Sequence, residues 1–350
     1  MFKRRFNELR LTLQLAPAAP LLIKEGRHIE GGDKERRYFH RGPVARTPDR
    51  PRRREGKGFA DYDDAEHCFD MACVYTTTAQ GEDRFYLPGS SLRGVLRSSA
   101  ERLIGRWQPG WVHQSDPFRP NAQEIDRGRS GAVLYSAAGP IERCFGHTAL
   151  RGRWVVADAW LCNERDARVV VRDGVGINRA TGAAQQNVKF QFETITAGIF
   201  ETTIMLTNFE LWQPGLLAYL LAGLDAGDAQ VGYGTRRGLG RVRVAVTEMR
   251  WRWYGRIPEQ QDGLTVVPPL AALASRAGLE GYDWRDADLT LHLPLQATRT
   301  PLASEARMIP ARVTSSDPFA PTDWAATPWP ELAKLVPLAL DGWSPEEVRV

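Results

Sequence analysis

Five acids crowd into ten positions of the first quarter of the chain: Asp61, Asp63, Asp64, Glu66 and Asp70. Acids at this density can hold a hard divalent cation through oxygen ligands, or they can simply solvate a loop. Their neighbours His67, Cys68 and Cys73 do not complete a zinc set, because Cys144 and Cys162 supply no second paired spacing. A second candidate is Leu87-Pro88-Gly89-Ser90-Ser91-Leu92-Arg93-Gly94. Free backbone N–H groups and hydroxyls at a helix start suit a phosphate, with Arg93 and Arg97 on the same element, but the same residues make an ordinary capped helix. The third is Gly232-Tyr233-Gly234-Thr235-Arg236-Arg237-Gly238-Leu239-Gly240. It lacks the Gly-Lys-Ser/Thr of a nucleotide-binding loop and precedes a strand, so it is either a close-approach site for a polyanion or a plain turn. No GxSxG or HExxH occurs, which removes support for the corresponding hydrolase and protease readings.

These residues need elements to position them. Residues 8–15 alternate strictly, with Leu9, Leu11, Leu13 and Leu15 on one face, and predict a half-buried strand. Residues 90–106 change period, with Leu92, Val95, Leu96, Leu103 and Ile104 at helical spacing behind a Ser suited to capping. Strands are expected at 153–161, 199–206 and 241–251, and a helix over Leu216–Leu224 ends at Asp225-Ala226-Gly227. The order strand, helix, strand, strand, helix, strand is an α+β, ferredoxin-like or RRM-like βαββαβ arrangement. In its short form that fold presents a sheet to single-stranded RNA. Residues 1–250 are therefore read as one palm domain with insertions at about 16–88, 107–152 and 163–198. Residues 251–350 are read as a C-terminal extension, with one further alternating stretch at 288–293.

Composition bounds the setting. The 350 residues are 43% hydrophobic and 25% charged, which suits a folded chain of about two domain lengths. No apolar run approaches the roughly 18 residues of a membrane span. Four cysteines without scaffold spacing, and a basic start without an apolar core, lead to the expectation of a reducing cytoplasm. Net charge is +4, but residues 1–60 hold 16 Lys and Arg against 7 Asp and Glu, so they carry +9 and the remainder −5. The bases are 40 Arg and 6 Lys. Arginine is the better fork for phosphate and stacks on bases, although a GC-rich genome biases codons the same way.

Several segments act together. Lys24-Glu25-Gly26-Arg27-His28-Ile29-Glu30-Gly31-Gly32-Asp33 looks like a Gly-His-Ile-Gly-Gly strand exit. Phe69-Asp70-Met71-Ala72-Cys73-Val74 and then Leu87–Gly94 look like an aspartate loop and a "PGSSLKG" helix start, with Ala72 where proline is usual. Cys144-Phe145-Gly146 followed by Val155-Val156-Ala157-Asp158-Ala159, and Asn178-Arg179-Ala180-Thr181-Gly182 followed by Phe192-Glu193 and Gly198-Ile199-Phe200, continue the series. The glycine loop closes it. In this order, over about residues 8–248, they resemble the RAMP superfamily, and within it the backbone subunit of type III CRISPR effector complexes of Csm/Cmr type.

That resemblance implies an RRM-like palm with a β-hairpin thumb. It implies copies stacked along a guide RNA (crRNA), and cleavage of target RNA by a loop aspartate with Mg2+ or Mn2+. Asp70 matches the catalytic and metal-binding position, with Asp61, Asp63 and Asp64 as substitutes. Guide contacts would fall on His28, Ser90, Ser91, Arg93, Arg97, Arg236 and Arg237. Arg179, Gln186, Asn187 and Lys189 would belong to the thumb. The implied partners are guide RNA, target RNA, other RAMP subunits and a large polymerase/cyclase-type subunit, with no membrane. The extension would touch unlike neighbouring subunits. Two alternatives stay open: a structural or capping subunit that does not cut, and a guide-precursor-processing endoribonuclease. The latter would need a general base such as His28, His40 or His67.

Overall fold

A computed structural model describes residues 4–24, 71, 73–77, 79, 83–107, 130–147, 149–163, 166–255, 258–279, 281–295, 297–299, 303–308 and 329–340. The first strand, β1 (Asn7–Pro17), follows the alternation in its sequence: Leu9, Leu11, Leu13 and Leu15 are buried and Arg10 is exposed. It lies at the centre of a sheet and pairs antiparallel with β8 (Phe200–Thr207) on one side and β9 (Val242–Trp253) on the other. A β-bulge at Thr12/Leu13 keeps the alternation of β9 in phase. Val242, Val244 and Val246 point inward before it, and Met249, Trp251 and Trp253 after it.

Beyond β8 come β4 (Trp154–Val156) and β5 (Ala159–Leu161), then the hairpin β2 (Tyr75–Thr77) and β3 (Asp83–Leu87). Beyond β9 lie β14 (Ser304–Met308) and β13 (Ala297–Arg299). The four strands of the expected repeat stand in the order β9-β1-β8-β5, the antiparallel order of a ferredoxin-like palm. The expected α+β class is the one observed.

Helix α1 (Gly89–Trp107) buries Leu92, Leu96, Ala100 and Ile104, a stripe at spacings of four, into the core formed with the inward faces of the strands. Two short helices, α2 (Gly131–Ala137) and α3 (Pro140–Phe145), follow in a region that reads as irregular in sequence. Their signals are local: Ser130 accepts from the Val133 N–H, Pro140 opens α3, and the Glu142 side chain accepts from the Gly139 N–H. Helix α4 (Trp212–Ala226) runs longer than its leucine repeat suggests. It starts across Pro214 and stops at Gly227, whose left-handed φ of 91° closes it.

The stretch expected as one strand over 153–161 divides in two. Between β4 and β5 the chain turns so that the Asp158 carboxylate accepts from the Gly89 N–H at 2.7 Å, and it thereby caps α1. Gly89 is required there: a Cβ would run into the carbonyl of Val156. The polar segment between β5 and β8 is a separate two-stranded hairpin, β6 (Arg168–Ile177) and β7 (Ala184–Ala197).

The described C-terminal residues share the palm's core. The strands β10 (Gln260–Gln261), β11 (Leu264–Val267) and β12 (Leu291–Leu293) form a small sheet, with the helix α5 (Leu270–Ser275) between β11 and β12. Helices α6 (Trp329–Ala333) and α7 (Leu335–Leu340) lie against α4. Val267, Leu291, Leu293, Trp329, Leu332 and Val336 belong to the same buried cluster as β1 and α4. Among the described residues, no helix is long and apolar enough to cross a membrane.

Candidate nucleic-acid interface

One junction brings the glycine loop, the base of the hairpin and the end of the first described segment together. Backbone bridges join Leu21 to Ile195, Lys24 to Cys73 and Met71 to Phe192. Leu21, Met71 and, through Cys73, Lys24 are thus all attached near the base of β7. Glu193 fastens Met71 and Cys73. Its backbone N–H donates to the Met71 carbonyl at 2.8 Å, and its fully buried carboxylate accepts from the Cys73 N–H at 2.9 Å.

The glycine loop docks on the same stretch. The Gly240 N–H donates to the Pro20 carbonyl at 2.9 Å, and the Tyr233 N–H donates to the Leu22 carbonyl at 2.7 Å. Gly232 and Gly240 have φ of 89° and 86°, and a Cβ at either would strike a backbone carbonyl, that of Leu22 or of Val231. Only glycine fits both demands. Between Gly234 and Gly238, both left-handed, Thr235–Arg237 makes one 3-10 turn that displays Arg236 and Arg237 to solvent.

Two aromatic contacts complete the surface. The Arg237 guanidinium lies 4.8 Å over the ring of Phe190 on β7, and the Lys24 ammonium lies 5.5 Å from the centre of the Tyr233 ring. Phe190 itself lies across Gly174 of β6, where a side chain would have no room. The ring therefore sits between the hairpin and the glycine loop. At the far end of the hairpin, the Asn178 side chain accepts from the Ala180 and Thr181 N–H groups and forms a tight turn that exposes Arg179. Val170, Val175 and Ile177 along β6 are also exposed.

The helix-start candidates are placed elsewhere. Ser90 and Ser91 open α1, whose first N–H is already taken by Asp158. Arg93 donates to the Phe145 carbonyl, and Arg97 pairs with Glu101 at 2.9 Å and donates to the Gly146 carbonyl at 3.3 Å. Burial first, and the neighbouring Arg97 second, lower the Arg93 pKa. These arginines tie α1 to the end of α3, so part of their donor capacity is spent within the protein.

His28, Asp61, Asp63, Asp64 and Asp70 lie outside the described residues, as do His40 and His67. Gln186, Asn187 and Lys189 stand on β7, but their side chains lie outside the described ones. Among the described residues, no three His, Cys, Asp or Glu side chains converge as metal ligands. Cys73 and Cys144 are buried, and Cys162 is exposed.

Sequence reasoning passed over a buried charged cluster beneath the palm. The guanidinium carbons of Arg143 and Arg153 both lie over the ring of Tyr135, at 4.4 and 4.2 Å. The Tyr135 hydroxyl donates to Glu210, and Arg143 pairs with Glu210 at 3.3 Å and with Asp283 at 2.9 Å. Burial raises the Tyr135 pKa well above the usual phenol value. Asp286 completes the cluster: it accepts from the Leu211, Leu270 and Ala271 N–H groups and so caps the starts of α4 and α5 together. Burial, then the Glu210 charge, push its pKa up to about 7. The available signal was Glu142-Arg143, two charges set inside an apolar run; Glu193, Lys24 and Tyr233 stood inside the quoted family segments, but nothing in those segments pointed to the contacts they make.

Compared with known families, residues 74–243 match the RAMP superfamily. This span runs from β2 through the hairpin and the glycine loop to the start of β9. A comparison with curated proteins finds no match.

Proposed function

We propose, from the RAMP superfamily match and the palm that it spans, that the chain is a guide-RNA-binding backbone subunit of a type III CRISPR effector complex. It would cut target RNA at Asp70. One observation carries the reading: an exposed pair of arginines on the glycine loop stands against the middle of the separate two-stranded hairpin. Such an arrangement holds a phosphate backbone without reading its sequence and lets the hairpin meet the strand at a fixed distance. Arg236 and Arg237 serve the guide backbone, with His28, Ser90, Ser91, Arg93 and Arg97 as further contacts. The hairpin residues Arg179, Gln186, Asn187 and Lys189 face the guide–target duplex.

In this reading Asp70, just before the anchored Met71, orients or deprotonates the attacking 2′-hydroxyl. Asp70, with Asp61, Asp63 or Asp64 in reserve, would hold a divalent ion together with RNA phosphate oxygens, and that ion would neutralise phosphate charge. Glu193 keeps the following residues in register. Other RAMP subunits and a large polymerase/cyclase-type subunit are the expected neighbours.

The test is Asp70→Asn in the assembled complex, with cleavage and target binding measured on the same preparation. The expected result is loss of cleavage by about 100-fold or more at unchanged target affinity, in line with removal of a group acting in the transition state. Cutting at the wild-type rate would move the chain to the structural reading, in which it binds and spaces RNA without cutting.

A further inference from the structure

The glycine loop displays an aromatic ring that phosphate contacts do not use. Tyr233 is 39% exposed, yet its backbone has little freedom. Its N–H is held by the Leu22 carbonyl, and left-handed glycines stand on both sides of it. Lys24 lies 5.5 Å from the ring centre, and Arg236 and Arg237 are exposed on the adjoining turn. A surface that buries an apolar protein partner surrounds an exposed ring with more apolar atoms. Here a ring on a held backbone has one ammonium near it and two exposed arginines on the adjoining turn. That combination suits single-stranded nucleic acid, where bases stack on aromatic faces and cations follow the phosphates.

Resting on the RNA-binding reading above, we infer that Tyr233 stacks a nucleobase of single-stranded RNA while Lys24, Arg236 and Arg237 hold the adjacent phosphates. The Lys24 ammonium is on a flexible stem, so it leaves the ring face for a phosphate oxygen when the base arrives. The contact is indifferent to base identity because every base has a π-face. It separates two roles within one loop: Arg236 and Arg237 supply charge, and Tyr233 supplies a flat apolar seat.

The experiment uses the full chain and a labelled single-stranded RNA of about 12 nucleotides, the length scale of one strand-binding fold, titrated by fluorescence anisotropy across a range of salt. A matched strand with abasic positions is the second probe. Tyr233→Phe is expected to bind like wild type. Tyr233→Leu is expected to weaken binding about 5- to 100-fold with the log–log salt slope unchanged, and to bind intact and abasic strands alike. Arg236→Ala or Arg237→Ala should instead lower the salt slope by roughly one. Tyr233→Leu binding within about two-fold of wild type overturns the inference. So does a lowered slope, or the loss of a protein partner with RNA binding intact. If the wild-type chain shows no salt-dependent RNA binding at all, the RNA-binding reading falls, and the stacking inference falls with it.

Discussion

Asp286 shows what one buried carboxylate can organise. It caps two helices at once, α4 of the palm and α5 of the C-terminal part, through three backbone N–H groups. Burial and the facing Glu210 raise its pKa to about 7, above the usual 3.8. The folded state therefore keeps a proton that the unfolded chain releases near pH 4. Its stabilising contribution is complete below that pH and declines as pH rises toward 7. An Asp286→Asn variant has no such titration. The expected result is that the melting-temperature gap between wild type and D286N moves in favour of the variant from pH 5 to pH 8, measured by calorimetry. A gap that is constant with pH would mean that Asp286 is ionised throughout. Nothing in the local sequence marks this residue, since its partners come from positions 211, 270 and 271, brought together by folding.

At the scale of elements, the palm was legible and the junction was not. The leucine alternation of β1 and the four-residue stripe of α1 are statements about a single element, and both hold in the structure. The break between β4 and β5 depends on Asp158 reaching α1, a contact between distant elements that no local period announces. Residues 172–198 read locally as a polar segment, and the hairpin there was expected only through the family resemblance, because the exposed, Gly-containing strand β6 carries no apolar alternation of its own. Glu193 is the clearest case of an interaction between elements. Its carboxylate is fully buried and holds Cys73, 120 positions away. Glu193→Gln keeps an acceptor oxygen, whereas Glu193→Ala leaves the Cys73 N–H without it. The expected cost is roughly 1–3 kcal/mol for alanine and markedly less for glutamine. Urea melts measure both, and hydrogen exchange at residues 73–77 and 192–195 should locate the loss.

At the scale of the whole molecule, the C-terminal part is less of an appendage than its Pro- and Trp-rich sequence suggests. Helices α6 and α7 bury Trp329, Leu332, Leu335 and Val336 against α4. Gly215 of α4 comes so close to the Leu332 carbonyl that a Cβ would not fit. Each large side chain buried there contributes roughly 2 kcal/mol, so together they rival the whole margin of an ordinary domain. Ending the chain after residue 308 is therefore expected to lower the melting temperature sharply and to expose dye-binding apolar surface. A truncated protein that melts like the full chain would instead make α6 and α7 a detachable arm. The extension was hard to read because its apolar residues are spaced for docking on α4, not for a core of their own.

The central place of β1 has a consequence for how the protein is made. Its partners are late arrivals: Leu15 pairs with Phe200, and Asn7 with Trp253. At roughly 5–20 residues per second, a ribosome takes on the order of 10–50 s to deliver β9 after β1 has emerged. For most of that interval four leucines and both backbone edges stand without their strands, and one edge stays open until β9 arrives. Such an edge pairs readily with another nascent chain. So non-local a sheet closes slowly, which leaves the unpaired strand open to mispairing during synthesis.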